Sequence, residues 1–162
     1  VIAIWVSDWK NRNEHEQHEE GRAMKFLQPE GWKPAKGYSN GIAADGQFVV
    51  TGGQIGWNKN QEFETDDFVG QCEQTLANII AILAEAGAGP EHIVRLTWYV
   101  TDKVAYIAGQ KELGAAYRRV MGRNFPAMAV VQVTALIEDR AKVEIEATAI
   151  LPDDHEGKRQ AT

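Results

Sequence analysis

The chain has a single cysteine, Cys72. No intrachain disulfide can form, which excludes the small secreted scaffold held together by staples. No apolar run approaches the ~20 residues that a bilayer-spanning helix needs. The apolar start, residues 1–6, is short, lacks a basic leader and is followed by charge rather than a small-residue cleavage site, so no signal peptide is expected. Positive charge is also scarce: 17 Lys and Arg against 23 Asp and Glu leave a formal net charge of −6. That balance argues against a nucleic-acid partner, because phosphate binding needs a concentrated basic face. Arg118, Arg119, Arg123 and Arg140 come nearest to one, but Glu112, Glu138 and Asp139 dilute their field, and they read as solvated surface. The absences together suit a soluble, cytoplasmic protein.

What is present fits one globular domain. The 162 residues are 44% hydrophobic and 25% charged, enough to bury a core without staples and far from disordered or membrane compositions. Residues 7–22 are polar and charged with little to bury, so residues 1–23 are expected to form a mobile N-terminal extension. The texture changes at Met24, where the natural product is expected to start; the domain is then 24–152, followed by a polar tail, 153–162. His15 and His18 stand one residue short of the H-E-x-x-H zinc spacing, and no metal or cofactor is expected. Cys72, at an apolar position of a helical pattern, reads as a small buried hydrophobe rather than a nucleophile.

From Gly41 the pattern turns to strands. Asp45-Gly46 is a turn signal before Phe48-Val49-Val50-Thr51, and the two runs read as a hairpin ended by Gly52-Gly53. A polar loop follows from Gly56. Thr65-Asp66-Asp67 supplies cap oxygens, and Val69, Cys72, Leu76, Ile79, Ile80 and Leu83 recur at helical spacing until Gly87. The run His92 to Val100 is β-branched and aromatic and reads as a central strand to be covered on both faces. Thr101-Asp102 caps a second helix, with Ile107, Leu113, Ala116, Tyr117 and Val120 on its apolar side, ending near Gly122. Two strands close the pattern, from Ala127 to Leu136 and from Ala141 to Leu151; in the second, Lys142, Glu144, Glu146 and Thr148 alternate with Val143, Ile145, Ala147 and Ala149. The order ββαβαββ predicts an α+β fold: a mixed sheet with two helices packed on one face. The other face needs a cover that one chain does not supply, so self-association is expected.

Three stretches of this sequence resemble the YjgF/RidA/L-PSP family. Gly37-Tyr38-Ser39-Asn40-Gly41 is similar to the family's P-Y-S-Q-G, and Thr51-Gly52-Gly53-Gln54-Ile55-Gly56 to T-S-G-Q-I-P. Asn124-Phe125-Pro126-Ala127 and Lys142-Val143-Glu144-Ile145-Glu146-Ala147 resemble F-P-A-R-S and K-I-E-I-E-A, and the likeness extends over about Gly37 to Pro152. It implies a chorismate-mutase-like homotrimer with small-molecule clefts between subunits. It further implies hydrolysis of reactive enamines and imines to a keto acid and ammonia, with Glu144 positioning or activating the water and Tyr38 and Thr51 lining the pocket.

Two departures stand inside these motifs. The family's carboxylate-clamping arginine, whose planar fork suits two carboxylate oxygens, is replaced by Met128, and its pocket serine by Gly52. A thioether has no charge and no useful donor, so a larger or less acidic substrate is implied, with Met128, Trp57 and Trp98 as candidate apolar surface and the backbone at Gly52 and Gly53 as candidate polar partners. A non-catalytic trimer binding a metabolite in the same clefts is the rival reading. An RNA-cleaving activity finds no support in an acidic chain without a histidine pair in the fold. Each residue also has a plainer explanation: Glu144 as a buried or interfacial ion-pair partner, Tyr38 and Trp98 as packing, Gly52 and Gly53 as backbone geometry at a strand end, Met128 as gap-filler. Arg95 reads equally as a replacement cation and as a strand residue pointing to solvent.

Overall fold

The apolar stripe of the first long helix and the alternation of the last strand decide how the chain packs. The structure, a computed structural model, describes residues 24–153; the expected N-terminal extension with His15 and His18, and the rest of the tail, lie outside the described residues. Helix α1 spans Phe68–Ala84. It begins where the sequence places the cap: Asp67 accepts from the Gly70 amide at 2.7 Å and its own amide donates to Thr65 Oγ1 at 3.0 Å, which satisfies donors that the first turn leaves open. It ends before Gly87, which takes a φ of +78°, the left-handed conformation that glycine adopts without steric cost. The stripe Phe68, Cys72, Leu76, Ile79 and Leu83 is buried. Burial, and secondarily Asp67, pushes the Cys72 thiol up, consistent with an inert core thiol.

The stripe packs on the main sheet. Strand β5, Ile93–Val100, lies between β6, Ala127–Gln132, which runs parallel to it, and β7, Val143–Leu151, which runs antiparallel. On its far side β7 pairs first with β3, Gln47–Val50, and then with β4, Gln54–Ile55. Side chains alternate between faces along a strand. Leu96, Trp98 and Val100 therefore point with Val143, Ile145, Ala147 and Ala149 toward the helices, and all are buried. Each large side chain so buried contributes about 1.5–3 kcal/mol. The opposite face has no second layer of its own. It holds a polar band, Arg95, Thr97 and Tyr99 on β5 facing Thr148, Glu146 and Glu144 on β7, flanked by Phe48 and Val50, 66% and 57% exposed, on one side and Val131, 46% exposed, on the other.

The mixed α+β architecture agrees with the sequence pattern, and its details correct four readings. The Asp45-Gly46 turn does not join a paired hairpin. Strand β2, Ile42–Ala44, pairs instead with β1, Met24–Phe26, in a separate two-stranded sheet. A Cβ on Gly46 would overlap the Leu151 carbonyl, so the missing side chain lets the chain pass against the end of β7 and enter its ladder. The second helix is two: α2, Lys103–Ala108, capped by Asp102, and α3, Gln110–Met121, divided at Gly109; Ile107, assigned to the apolar side, is 56% exposed. Strand β6 stops at Gln132 rather than Leu136, because its partner β5 ends opposite at Val100. Finally, β5 is apolar on one face only, the other carrying Arg95, Thr97 and Tyr99.

Candidate functional site

Glu144 sits on the open face of β7, half-buried, with Tyr99 of β5 on one side and Ile55 of β4 on the other in register. Its carboxylate lies directly over Gly53. A Cβ at that position would overlap Glu144 Oε1 and stand 2.8 Å from Cδ. Gly53 has no positive φ, so the requirement for glycine is the space the carboxylate occupies, not the backbone conformation. Gly52 is different: a Cβ there would meet nothing within 4 Å. The Gln54 side chain folds back on this turn, donating to the carbonyls of Gly53 at 3.1 Å and Gly52 at 3.4 Å.

Thr51 fixes the turn from the other end. Its amide donates to the Ala147 carbonyl at 3.0 Å and its Oγ1 accepts from the Ala147 amide at 3.1 Å, so the hydroxyl continues the ladder across the gap between β3 and β4. At 8% exposure it is a staple that sets the height of Gly52 and Gly53 over β7. Trp57 follows on the loop after β4. Its carbonyl and that of Ile55 accept from Asn78 Nδ2 at 2.8 and 3.1 Å, and its half-buried ring lies 6.3 Å from that of Phe63.

Tyr38 and Met128 belong to a second group, at the β6 edge. Ser39 donates from its amide to the Pro126 carbonyl at 3.0 Å and from its hydroxyl to the Phe125 carbonyl at 2.6 Å, forming a bridge to Ala127 that holds the neighbouring Tyr38 at this corner. Met128 stands opposite Leu96, so its side chain lies on the helix side of the edge strand, where it packs against the core. Within one chain β5 separates this corner from Glu144, and the two groups use opposite faces. Trp98 lies in neither. It is 1% exposed in the core, so it offers no pocket surface, and its Nε1 has no partner among the described residues.

Tyr99 was not anticipated. Its hydroxyl donates to Glu146 Oε1 at 3.2 Å, and partial desolvation together with the charges of Glu146 and Glu144 holds the phenol above its ordinary range. The signal was available: the alternation that aligns Glu144, Glu146 and Thr148 on β7 also aligns Arg95, Thr97 and Tyr99 on β5. Among the described residues no group of three His, Cys, Asp or Glu could hold a metal ion, and no helix is long and apolar enough to cross a membrane.

This arrangement can be set beside known proteins. A profile of the family described as Endoribonuclease L-PSP matches residues 29–151. The chain belongs to this family. A RutC family protein of Haemophilus influenzae is 35% identical over 105 residues, covering 65% of this chain and 80% of the relative. The 2-iminobutanoate/2-iminopropanoate deaminase of Salmonella typhimurium is 32% identical over 105 residues, with the same coverage. Among solved structures, a Rid family protein of unknown function, YyfB from Yersinia pestis, is similar at a TM-score of 0.71 and 31% identity, over 80% of this chain and 99% of that one. The fold is thus the chorismate-mutase-like fold of the YjgF/RidA proteins.

Proposed function

We propose that the chain hydrolyses reactive imines or enamines, Glu144 acting as the base that takes a proton from the attacking water. The observation that supports this reading is the fit between Glu144 and Gly53: the residue beneath the carboxylate has no side chain, and its absence leaves room for the carboxylate at the sheet surface. An imine carbon is already electrophilic, so little more is required. An enamine first takes a proton from solvent on carbon and becomes the imine; water oxygen then bonds to the imine carbon as Glu144 accepts one water proton, and the C=N electron pair moves to nitrogen, which receives that proton back from Glu144. The resulting carbinolamine then collapses to a carbonyl compound and ammonia. No cofactor takes part.

The working unit is a homotrimer. Phe48, Val50 and Val131 leave apolar surface on the open sheet face, and Tyr38 with Met128 comes close to a Glu144 only if that carboxylate belongs to another copy. Met128 in place of the family arginine shifts the substrate away from small α-imino acids, and Trp57 with Tyr38 adds apolar lining. A single-cysteine, acidic chain suits a cytoplasmic site of action. The test is ammonia release from imines generated in situ by an amine oxidase. Replacing Glu144→Gln is expected to lower the rate by about 10²–10⁴ without changing the mass of the assembly; unchanged turnover removes Glu144 from the mechanism. The rival, a non-catalytic trimer binding a metabolite, is favoured by Met128 alone. It gains if no imine is turned over while a carbonyl compound raises the melting temperature.

A further inference from the structure

The Glu144 carboxylate fits over Gly53 only while β4 and β7 keep their spacing, and their own ladder does little to fix it. Strand β4 has two residues and two register pairs with β7, Gln54 with Ile145 and Ile55 with Glu144. A pairing that short is a weak constraint. Both strands are instead fastened from the helix side, by polar side chains of α1 that the hydrolytic step does not use.

Gln71, in the first turn of α1, is fully buried at 0% exposure. Its Oε1 accepts from the Lys142 amide at 2.8 Å, and its Nε2 donates to the carbonyls of Arg140 at 3.0 Å and Thr65 at 3.1 Å. Both N–H donors and the oxygen are thus engaged, so the side chain has one orientation. Lys142 is held on its other side as well, its carbonyl accepting from the Thr101 amide at 3.1 Å and the Thr101 hydroxyl at 3.3 Å. The residue two places before Glu144 is therefore fixed by both of its backbone groups. The same glutamine borders β4: a Cβ on Gly56 would stand 2.6 Å from Gln71 Cβ and 2.7 Å from its Cα, so the chain leaving β4 passes directly against the helix. Asn78, seven residues further along α1 and so about two turns up the same face, completes the fastening. Its Nδ2 donates to the carbonyls on either side of Gly56, that of Ile55 at 3.1 Å and that of Trp57 at 2.8 Å. Gln74 Nε2 orients it by donating to Oδ1 at 2.8 Å.

We propose that Gln71, with Asn78, is a positioning residue for Glu144: a polar seam on α1 that sets β4 and the start of β7 at the spacing at which the carboxylate fits over Gly53. The inference deepens the hydrolytic reading and rests on it for the effect on rate; the placement of the carboxylate does not depend on that reading. Every contact in the seam lies within one chain and beneath the sheet. An apolar residue of glutamine's length would leave the Lys142 amide and two carbonyls without partners in a dry core, and the start of β7 would move to regain them. A misplacement of about 1 Å can cost about 10²-fold in rate, and because it displaces the base rather than the substrate it falls on kcat rather than KM.

Steady-state ammonia release is measured for Gln71→Met beside Leu83→Val, a core change near the far end of α1 that lowers the melting temperature without touching the seam. The carbon-13 carboxyl resonance of Glu144 is recorded in both. Gln71→Met is expected to lower kcat at least about tenfold while KM stays within about threefold, and to move the Glu144 resonance; Leu83→Val is expected to do neither. In a Glu144→Gln background Gln71→Met is expected to cost no further rate, because it acts through that carboxylate. If Gln71→Met does not fold, Gln71→Asn takes its place, keeping the amide but falling one methylene short of its partners. An unchanged kcat, an equal loss in Leu83→Val, a Glu144 resonance that stays in place, or a full loss that persists in the Glu144→Gln background overturns the proposal. A wild type that turns over no imine overturns the hydrolytic reading alone, and the Glu144 resonance in the Gln71 variant then decides the positioning by itself.

Discussion

Gly53 and Gly52 are adjacent, share a motif and have opposite requirements. The Gly53 position is filled by the Glu144 carboxylate, so Gly53→Ala must push that side chain off its place, at a strain of about 1–3 kcal/mol for an overpacked contact. It is expected to lower ammonia release at least tenfold and the melting temperature with it. Gly52→Ser, which restores the residue of the family motif, meets open space and is expected to change stability by less than about 0.5 kcal/mol. Parallel thermal melts and ammonia assays decide both. A Gly53→Ala chain with full activity contradicts the reading that Glu144 works from above this glycine. Sequence alone pointed to both glycines but could not tell them apart, because the distinction depends on which side chain β7 places overhead.

Elements were legible where a repeated pattern spans several turns or alternations. Helix α1 could be read because a cap, an apolar stripe at helical spacing and a terminal glycine agree, and Asp67→Ala is expected to lower stability by about 1 kcal/mol in denaturant melts. Strand β7 could be read because its alternation runs for nine residues. Strands β1 and β4, of three and two residues, are too short to show a period, and both depend on partners distant in sequence. The α2–α3 break was hidden for another reason: glycine inside a helical pattern signals weakness but not rupture. A Cβ on Gly109 would stand 3.2 Å from the Ala105 carbonyl and 3.3 Å from Val69 Cγ2, a tertiary constraint. Between α3 and α1, Arg119 forms a two-pronged contact with Glu73, both at 2.7 Å. The guanidinium holds the Glu73 carboxyl below its usual range, so the tie is complete above that range and is lost as the pH falls through it. Being surface-exposed, it is expected to contribute little, read as the difference between wild-type and Glu73→Gln melts at neutral and acid pH.

At the scale of the whole molecule, the helices cover one sheet face and leave the other with a polar band between apolar flanks. The sequence revealed that a second face needed covering but misplaced the apolar surface, assigning it to β5 when it lies on β3 and at the far edge of β6. The Glu144–Gly53 pair lies on this polar band and the Tyr38–Met128 corner at the β6 edge, and the functional reading requires copies of the chain to bring the two together. Sedimentation equilibrium of the wild-type chain beside the double variant Phe48→Glu, Val50→Glu tests that requirement most directly. The account predicts a wild-type mass three times the 18.0 kDa of one chain, and a folded variant that sediments as a single chain and releases no ammonia. A wild-type protein that sediments as a folded single chain and still hydrolyses imines contradicts it.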